Sequence, residues 1–289
     1  MWLFLSLLTA VFTSAQDIIS KRVSTRISPY VTVWAVSFFA IPFLGICFFW
    51  EHPSVHAPVF WLALVATTMT LTTASVYFFK AIEASDLTLS IPLLSFTPLM
   101  LLITSPLIVG EFPKPLGIAG MVLIVIGCYV LFYHPQQEDF LAPFRRLMKA
   151  RGSRYMLVVA VLYSIGGNLD KVGMKASSPL LWSTSLNSMV AAVSGVMMFI
   201  KVRQPVRQIK AVWPWLALLG FFMALGFLVQ MNALKLAIVP YVIAVKRTSI
   251  ILTALWGVLF LKEQGGRERL MAVILMLAGV FVISFAACP

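Results

Sequence analysis

The sequence predicts an all-α membrane protein with ten transmembrane helices, arranged as two inverted five-helix repeats. Hydrophobic residues make up 61% of the 289 positions and charged residues 11%, whereas an ordinary soluble domain carries roughly a quarter charged residues. Nearly the whole chain divides into apolar runs long enough to cross about 30 Å of hydrocarbon. The two halves of the chain also match each other at a fixed shift. This composition excludes a soluble globular domain.

Charged or proline-bearing breaks separate ten apolar runs. We predict helices over 2–20, 29–50, 58–80, 86–109, 114–133, 155–176, 179–200, 212–234, 238–261 and 268–287. The long polar connection, residues 134–154, divides the chain near its middle. We therefore predict a first repeat over residues 1–133, a linker over 134–154 and a second repeat over 155–289.

A direct comparison of the halves supports this division. Shifting the chain by 152 residues places Glu111 on Glu263 and Gly127 on Gly279. Asp17 and Asp170 match at a shift of 153. Because each half has five helices, equivalent helices must cross the membrane in opposite directions, and such inverted repeats are common in secondary transporters.

The formal charge of +12 raises the question of nucleic-acid binding. The basic residues are scattered through short connections between apolar runs, which excludes that function and makes the lipid bilayer the expected partner. Odd-numbered connections hold sixteen Lys and Arg residues, and even-numbered ones hold four. The positive-inside rule therefore predicts a multi-pass inner-membrane protein with the linker in the cytoplasm and both termini outside.

Short motifs at equivalent positions carry a resemblance to a known family. Gly110-Glu111, followed by Pro113, precedes the fifth run, and Lys262-Glu263 precedes the tenth. This pattern resembles the EamA family of the drug/metabolite transporter superfamily. The resemblance implies a ten-helix fold with an internal two-fold axis, a central substrate cavity and alternating access. Many members of that family have both termini in the cytoplasm, opposite to the orientation that the charges predict here.

Two adjacent cations, Lys246 and Arg247, lie inside the ninth apolar run. An intramembrane cation costs roughly 2.5–3.5 kcal/mol on insertion scales, so it faces a cavity or a charge partner. Arg offers a planar fork to phosphate or carboxylate, and Lys adds a point charge. The pair is similar to one in plastid triose-phosphate translocators, which implies phosphate binding, although no lysine here matches their fourth-helix lysine. The alternative is a buried ion pair with Asp170 that fixes helix packing.

Two carboxylates are candidates for a coupling site or an ion pair. Asp170 could carry a coupling proton, but Lys171 and Lys175 lie close to it in the same run and equally indicate a helix-end charge cluster. Asp17 stands four residues before Lys21, which favours a helix-end ion pair.

Four further polar residues within the apolar runs could bind a substrate by hydrogen bonds or bridge helices: Tyr77, Asn168, Gln230 and Tyr241. The sequence shows no nucleophile–base constellation, no phosphate-binding glycine loop and no metal-ligand spacing of its three histidines and three cysteines. We therefore expect no enzyme activity, no cofactor and no metal.

These features together predict a secondary transporter or exchanger that moves a small organic anion, such as a phosphorylated metabolite, by alternating access. An exporter of amino acids or amphipathic drugs, with the Lys-Arg pair in a structural role, is the main alternative. A lipid-type flippase is a third. A membrane scaffold or an intramembrane enzyme would belong to a different class, and the missing catalytic constellation speaks against the enzyme. The sequence does not decide whether the protein forms a homodimer.

Overall fold

A computed structural model describes residues 1–24, 26–48, 57–84, 91–131, 151–253 and 267–287. Within these ranges the chain forms α1 (Trp2–Ser24), α2 (Pro29–Phe48), α3 (Ala57–Ala84), α4 (Thr97–Ile108), α5 (Pro115–Leu131), α6 (Arg151–Lys175), α7 (Pro179–Lys201), α8 (Pro205–Leu236), α9 (Val239–Lys246) and α10 (Arg267–Ala286). A 3₁₀ helix, Ile91–Phe96, precedes α4. The predicted all-helical fold is confirmed. Lys262, Glu263 and most of the predicted linker lie outside the described residues.

Length and composition explain why these segments suit a bilayer. Five helices in the described part of the chain are long and apolar enough to cross a membrane, namely α1, α3, α6, α7 and α8, and four shorter helices are also apolar. The start of α8 differs from the prediction, since the helix begins at Pro205 and not at residue 212. Val212 interrupts it with non-helical backbone angles, two residues before Pro214. The proline ring, which disfavours helical geometry in the preceding turn, accounts for the kink.

The main helix–helix contacts each join one helix of the first repeat to one helix of the second. Helix α1 packs on α8, and its counterpart α6 packs on α3, which is the counterpart of α8. Helix α2 packs on α7, and α5 packs on α10, so each of these pairs joins equivalent helices. This pattern is the one expected of an internal two-fold axis that relates five-helix repeats.

The contact between α5 and α10 contains two equivalent close approaches of the backbones. A Cβ atom on Gly279 would lie 2.6 Å from the carbonyl oxygen of Gly120, and one on Gly127 would lie 2.9 Å from that of Ala272. The shift of 152 residues found in the sequence carries Gly127 onto Gly279 and Gly120 onto Ala272, so the two contacts are equivalent. Small residues allow the backbones to approach closely, as in other membrane helix pairs.

The connections that the structure describes lie at two ends of the bundle. At one end, the backbone N–H of Ser28 in the α1–α2 connection donates to Oε1 of Gln208 near the α7–α8 connection, at 2.9 Å. This basic end carries the exposed side chains of Lys21, Arg22, Arg26, Lys201, Arg203, Arg207 and Lys210. The other end, here called the Glu111 end, joins the α4–α5 connection to the α8–α9 connection.

The ninth membrane segment is broken, which corrects the prediction of one continuous helix over residues 238–261. Helix α9 ends at Lys246, and helical structure resumes over residues 249–253. Between them the hydrogen bonds shorten to three-residue steps, from Thr248 N–H to the Val245 carbonyl and from Ile250 N–H to the Arg247 carbonyl. Shifting by 152 residues places this break on the junction of the 3₁₀ helix with α4 at Phe96–Thr97. Both repeats therefore change helical geometry at matching positions.

Candidate functional site: a charged cavity between the repeats

A cavity of about 190 Å³, enough for about six water molecules, lies between the two repeats. Helices α1, α2 and α3 of the first repeat and α6, α7, α8 and α9 of the second contribute to its wall. Its polar and charged lining residues are Thr13, Gln16, Asp17, Ser20, Ser37, Ser75, Tyr163, Asp170, Asn187, Gln230, Lys246, Arg247 and Ser249. Both cations and both carboxylates that the sequence singled out therefore face one space.

Lys246 is the last residue of α9 and is held by its neighbour on α8. Its Nζ atom donates a hydrogen bond to Oε1 of Gln230 at 2.6 Å. Gln230 itself is buried, so this amide fixes the direction of the ammonium group. The hydrogen bond brings Gln230 and Lys246 together, and it leaves the ammonium group with further donors for a ligand.

Arg247 turns towards the other repeat because consecutive helical residues point about 100° apart. Its Nη2 atom donates to Oγ1 of Thr97 at 2.8 Å, and the Thr97 hydroxyl donates to the Leu94 carbonyl at 2.7 Å. The Arg247 side chain is buried, and its Nε atom has no hydrogen-bond partner within the described chain. An unpaired buried guanidinium donor is costly, so the site is chemically incomplete without water or a ligand.

Asp170 is fixed by an indole group. The Trp182 Nε1–H donates to Oδ1 of Asp170 at 3.0 Å, and both residues are buried. Gly173 makes this possible, because a Cβ atom there would lie only 2.0 Å from the Trp182 ring. The indole thus holds one carboxylate oxygen of a residue that lines the cavity.

Asp17 lies at the cavity wall on α1, whereas Lys21 is exposed at the basic end. Among the described residues, the structure records no ion pair within 4.0 Å between these two side chains. The same holds for Asp170 with Arg247 and with Lys171. The two carboxylates therefore face the same cavity as the cations without being bound to them.

The other predicted site residues lie away from the cavity wall. The Tyr241 hydroxyl accepts the backbone N–H of Lys114 at 3.0 Å. Asn168 donates from Nδ2 to Oγ1 of Thr104 at 3.0 Å and to the Ser164 carbonyl at 2.8 Å. Tyr77 packs its ring against Tyr155. Each of the three side chains bridges or braces helices here.

Asn187 is a cavity residue that sequence reasoning missed. It is buried on α7, lines the cavity and donates from Nδ2 to the Ser183 carbonyl at 2.9 Å, within its own helix. The available signal was a lone amide inside an apolar run. Several Ser and Thr residues in neighbouring runs give a similar signal, so the sequence could not separate lining residues from packing residues.

An inverted-repeat helical bundle with a charged cavity between its halves is the architecture of secondary transporters. The sequence pattern of the EamA-like transporter family matches residues 1–133 and 150–285. The chain therefore belongs to the EamA-like transporter family and is a multi-pass membrane protein. The similarity to triose-phosphate translocators stays a prediction.

Comparison with solved structures shows the same fold at low sequence identity. One crystal structure of a protein shares 16% of its sequence with this chain, covers 99% of both chains and superposes with a TM-score of 0.76. A search of the curated proteins found no similar sequence. The family and the fold thus define a membrane transporter, and the solute has to be inferred from the cavity.

Proposed function

We propose that this protein is a secondary transporter or exchanger for a small organic anion, and that Lys246 and Arg247 bind the carboxylate or phosphate group of the solute. The observation that carries the proposal is the presence of both cations on the wall of one cavity between the repeats. Within the described residues each cation is held by a neutral partner, Gln230 or Thr97, and neither has an ion pair with a carboxylate. Neutral partners orient a charge without cancelling it.

The donor geometry suits an oxyanion. Arginine has five N–H donors and lysine three, and one donor of each is committed to the neighbouring amide or hydroxyl. The buried Nε–H of Arg247, which has no partner in the described chain, adds a donor beside the bound Nη2. A planar fork and a nearby ammonium group together match the geometry of carboxylate and phosphate oxygens.

The two cavity carboxylates suit coupling of transport to protons. Asp17 and Asp170 occupy matching positions in the two repeats and line the same cavity. A proton on either carboxylate would remove one negative charge and so favour a bound anion at the cations. Proton movement could thereby drive or balance movement of the solute.

A second candidate is export of amino acids or amphipathic drugs. The coexistence of two carboxylates and two cations in one cavity favours it, because an amino acid carries an ammonium group as well as a carboxylate. In that case Asp17 or Asp170 would bind the ammonium group, and Lys246 or Arg247 the carboxylate. Both candidates share the recognition of an anionic group and differ in the role of the carboxylates.

We infer the orientation from charge alone. The basic end carries seven exposed cations in and beside the α1–α2 and α7–α8 connections. Placing this end in the cytoplasm of an inner-membrane protein puts both termini outside.

A binding screen with detergent-purified protein tests the proposal. Its panel contains phosphorylated metabolites, dicarboxylates, zwitterionic amino acids and cationic amphiphiles, and thermal stabilisation is the readout because a ligand that binds only the folded state raises the melting temperature. We expect the anions to stabilise the parent, and to stabilise it more than Lys246→Gln. Stabilisation by amino acids alone would favour the second candidate. Stabilisation by cationic amphiphiles alone would contradict both candidates, because each requires Lys246 or Arg247 to bind an anionic group.

A further inference from the structure

The Glu111 end of the bundle carries a charge cluster that the solute site does not use. Gly110 has a φ of +73°, a conformation that favours glycine, and it turns the chain after α4. The next residue, Glu111, forms an ion pair with Lys171 of α6. The two side chains are only 12% and 6% exposed, so the pair is well shielded from solvent.

Both partners also bind the connection between α8 and α9. Oε2 of Glu111 accepts the backbone N–H of Val239 at 2.8 Å, and Nζ of Lys171 donates to the Ala237 carbonyl at 2.6 Å. Glu111 thus caps the first turn of α9 from a different repeat. These contacts, here called the Glu111–Lys171 latch, tie the first repeat to α6 and α9 of the second.

A second contact closes the same end. The Tyr241 hydroxyl of α9 accepts the backbone N–H of Lys114, and a Cβ atom on Gly117 would lie 2.2 Å from that hydroxyl oxygen. The α4–α5 connection is therefore packed directly against the start of α9. These contacts hold the two segments together at the Glu111 end.

The latch lies directly beside the cavity, at its Glu111 side. On α6 the cavity wall extends to Asp170, and the next residue, Lys171, belongs to the latch. Towards the basic end, the wall continues to Ser20 on α1 and Phe79 on α3. The latch therefore lies beyond the Glu111 side of the cavity, next to one of its charged residues.

We propose that Glu111 and Lys171 gate the transport cycle: their ion pair closes the cavity towards the Glu111 end and separates when that end opens. This inference rests on the proposed transport function. A shielded ion pair suits a reversible closure, because opening admits water that solvates both charges as they part. A packed apolar plug would instead expose apolar surface on opening. Since Asp170 and Lys171 are consecutive on α6, a movement of α6 on ligand binding at Asp170 moves the latch as well.

Side-specific cysteine labelling tests the latch without any solute. The reporter is Ser37→Cys, a conservative change at the cavity wall, in a chain whose native Cys47, Cys128 and Cys288 are replaced by alanine. A membrane-impermeant thiol reagent is added to intact cells and, separately, to inside-out vesicles. We expect Glu111→Gln to raise the labelling rate from the Glu111 side by about tenfold or more, since breaking a shielded ion pair shifts a closed–open equilibrium strongly.

The variants separate gating from folding. In Glu111→Gln the amide oxygen can still accept the Val239 N–H, so only the charge is lost. Lys171→Gln should give the same one-sided rise, and Glu83→Gln, which removes an exposed carboxylate at the end of α3, should give none. A merely structural pair would lower the melting temperature and change labelling from both sides equally, which would overturn the proposal. Unchanged labelling from the Glu111 side would also overturn it, while leaving solute binding at Lys246 and Arg247 to be judged by the binding screen.

Discussion

Replacing Lys246 by glutamine should weaken binding of the native anion while leaving the fold intact. Gln is close to Lys in length and can still form a hydrogen bond to Gln230, whose oxygen now accepts the Lys246 Nζ–H at 2.6 Å. The substitution therefore removes one charge from the cavity and little packing.

The size of the effect follows from the charges that remain. The cavity wall of the parent holds two cations and two carboxylates, so its formal charge is zero with all four ionised. Lys246→Gln leaves one cation against two carboxylates, a formal charge of −1, and the wall then repels an anion. Removing a close charge partner in a poorly solvated site commonly costs a few kcal/mol, which corresponds to a roughly tenfold to thousandfold loss of affinity. We expect Arg247→Gln to lose affinity within the same range.

The assay is titration calorimetry of folded, detergent-purified variants with an anion identified in the screen. Lys235→Gln is the matched control, because it removes a lysine that is exposed at the end of α8, away from the cavity. Arg247→Lys tests the shape of the cation, and it should also lose affinity because a point charge cannot replace a bidentate fork. Parent-like affinity in both Gln variants would refute the anion-binding role and favour the alternative exporter.

Three further predictions concern coupling, packing and topology. Asp170→Asn should alter transport in proteoliposomes more at high pH than at low pH, because the amide resembles the protonated acid; an equal loss at every pH would instead indicate a structural role. Gly279→Val should lower the free energy of unfolding by about 1–3 kcal/mol, measured by thermal denaturation, because its Cβ atom would lie 2.6 Å from the Gly120 carbonyl oxygen. Gly45→Ala should leave the stability unchanged, because no atom lies within 4 Å of the added Cβ. In intact cells, a cysteine at Lys175 should react with an impermeant reagent and one at Arg207 should not; the reverse pattern would invert the orientation and leave the fold unchanged.

Periodicity and composition accounted for most of the fold. Apolar runs of about 20 residues predicted the helices because hydrocarbon has no partner for a free backbone N–H or carbonyl group. The prediction lost accuracy where tertiary packing changes the backbone locally. The break after Lys246 is such a place: the residues on both sides are helix-compatible, and the break is seen only once Arg247 is placed against Thr97.

The candidate site was predicted in part. Lys246, Arg247, Gln230, Asp170 and Asp17 meet at one cavity because an ionisable or strongly polar group within a membrane needs a polar surrounding, and the sequence shows such groups directly. Uncharged polar side chains can meet this need without lining a cavity. Their hydrogen bonds can be satisfied between helices, as for Tyr241 and Asn168, so their identity alone does not place them at a cavity.

The sequence by itself determined the membrane class, the repeated halves and the charged residues of the cavity, since each follows from transfer energies or from internal repetition along the chain. Only the tertiary structure decided which charges pair. Asp170 and Lys171 are neighbours in the sequence, yet one faces Trp182 and the cavity while the other binds Glu111 at the bundle end. Successive side chains of a helix point in different directions, and their partners come from helices distant in the chain, so spacing alone could not assign them.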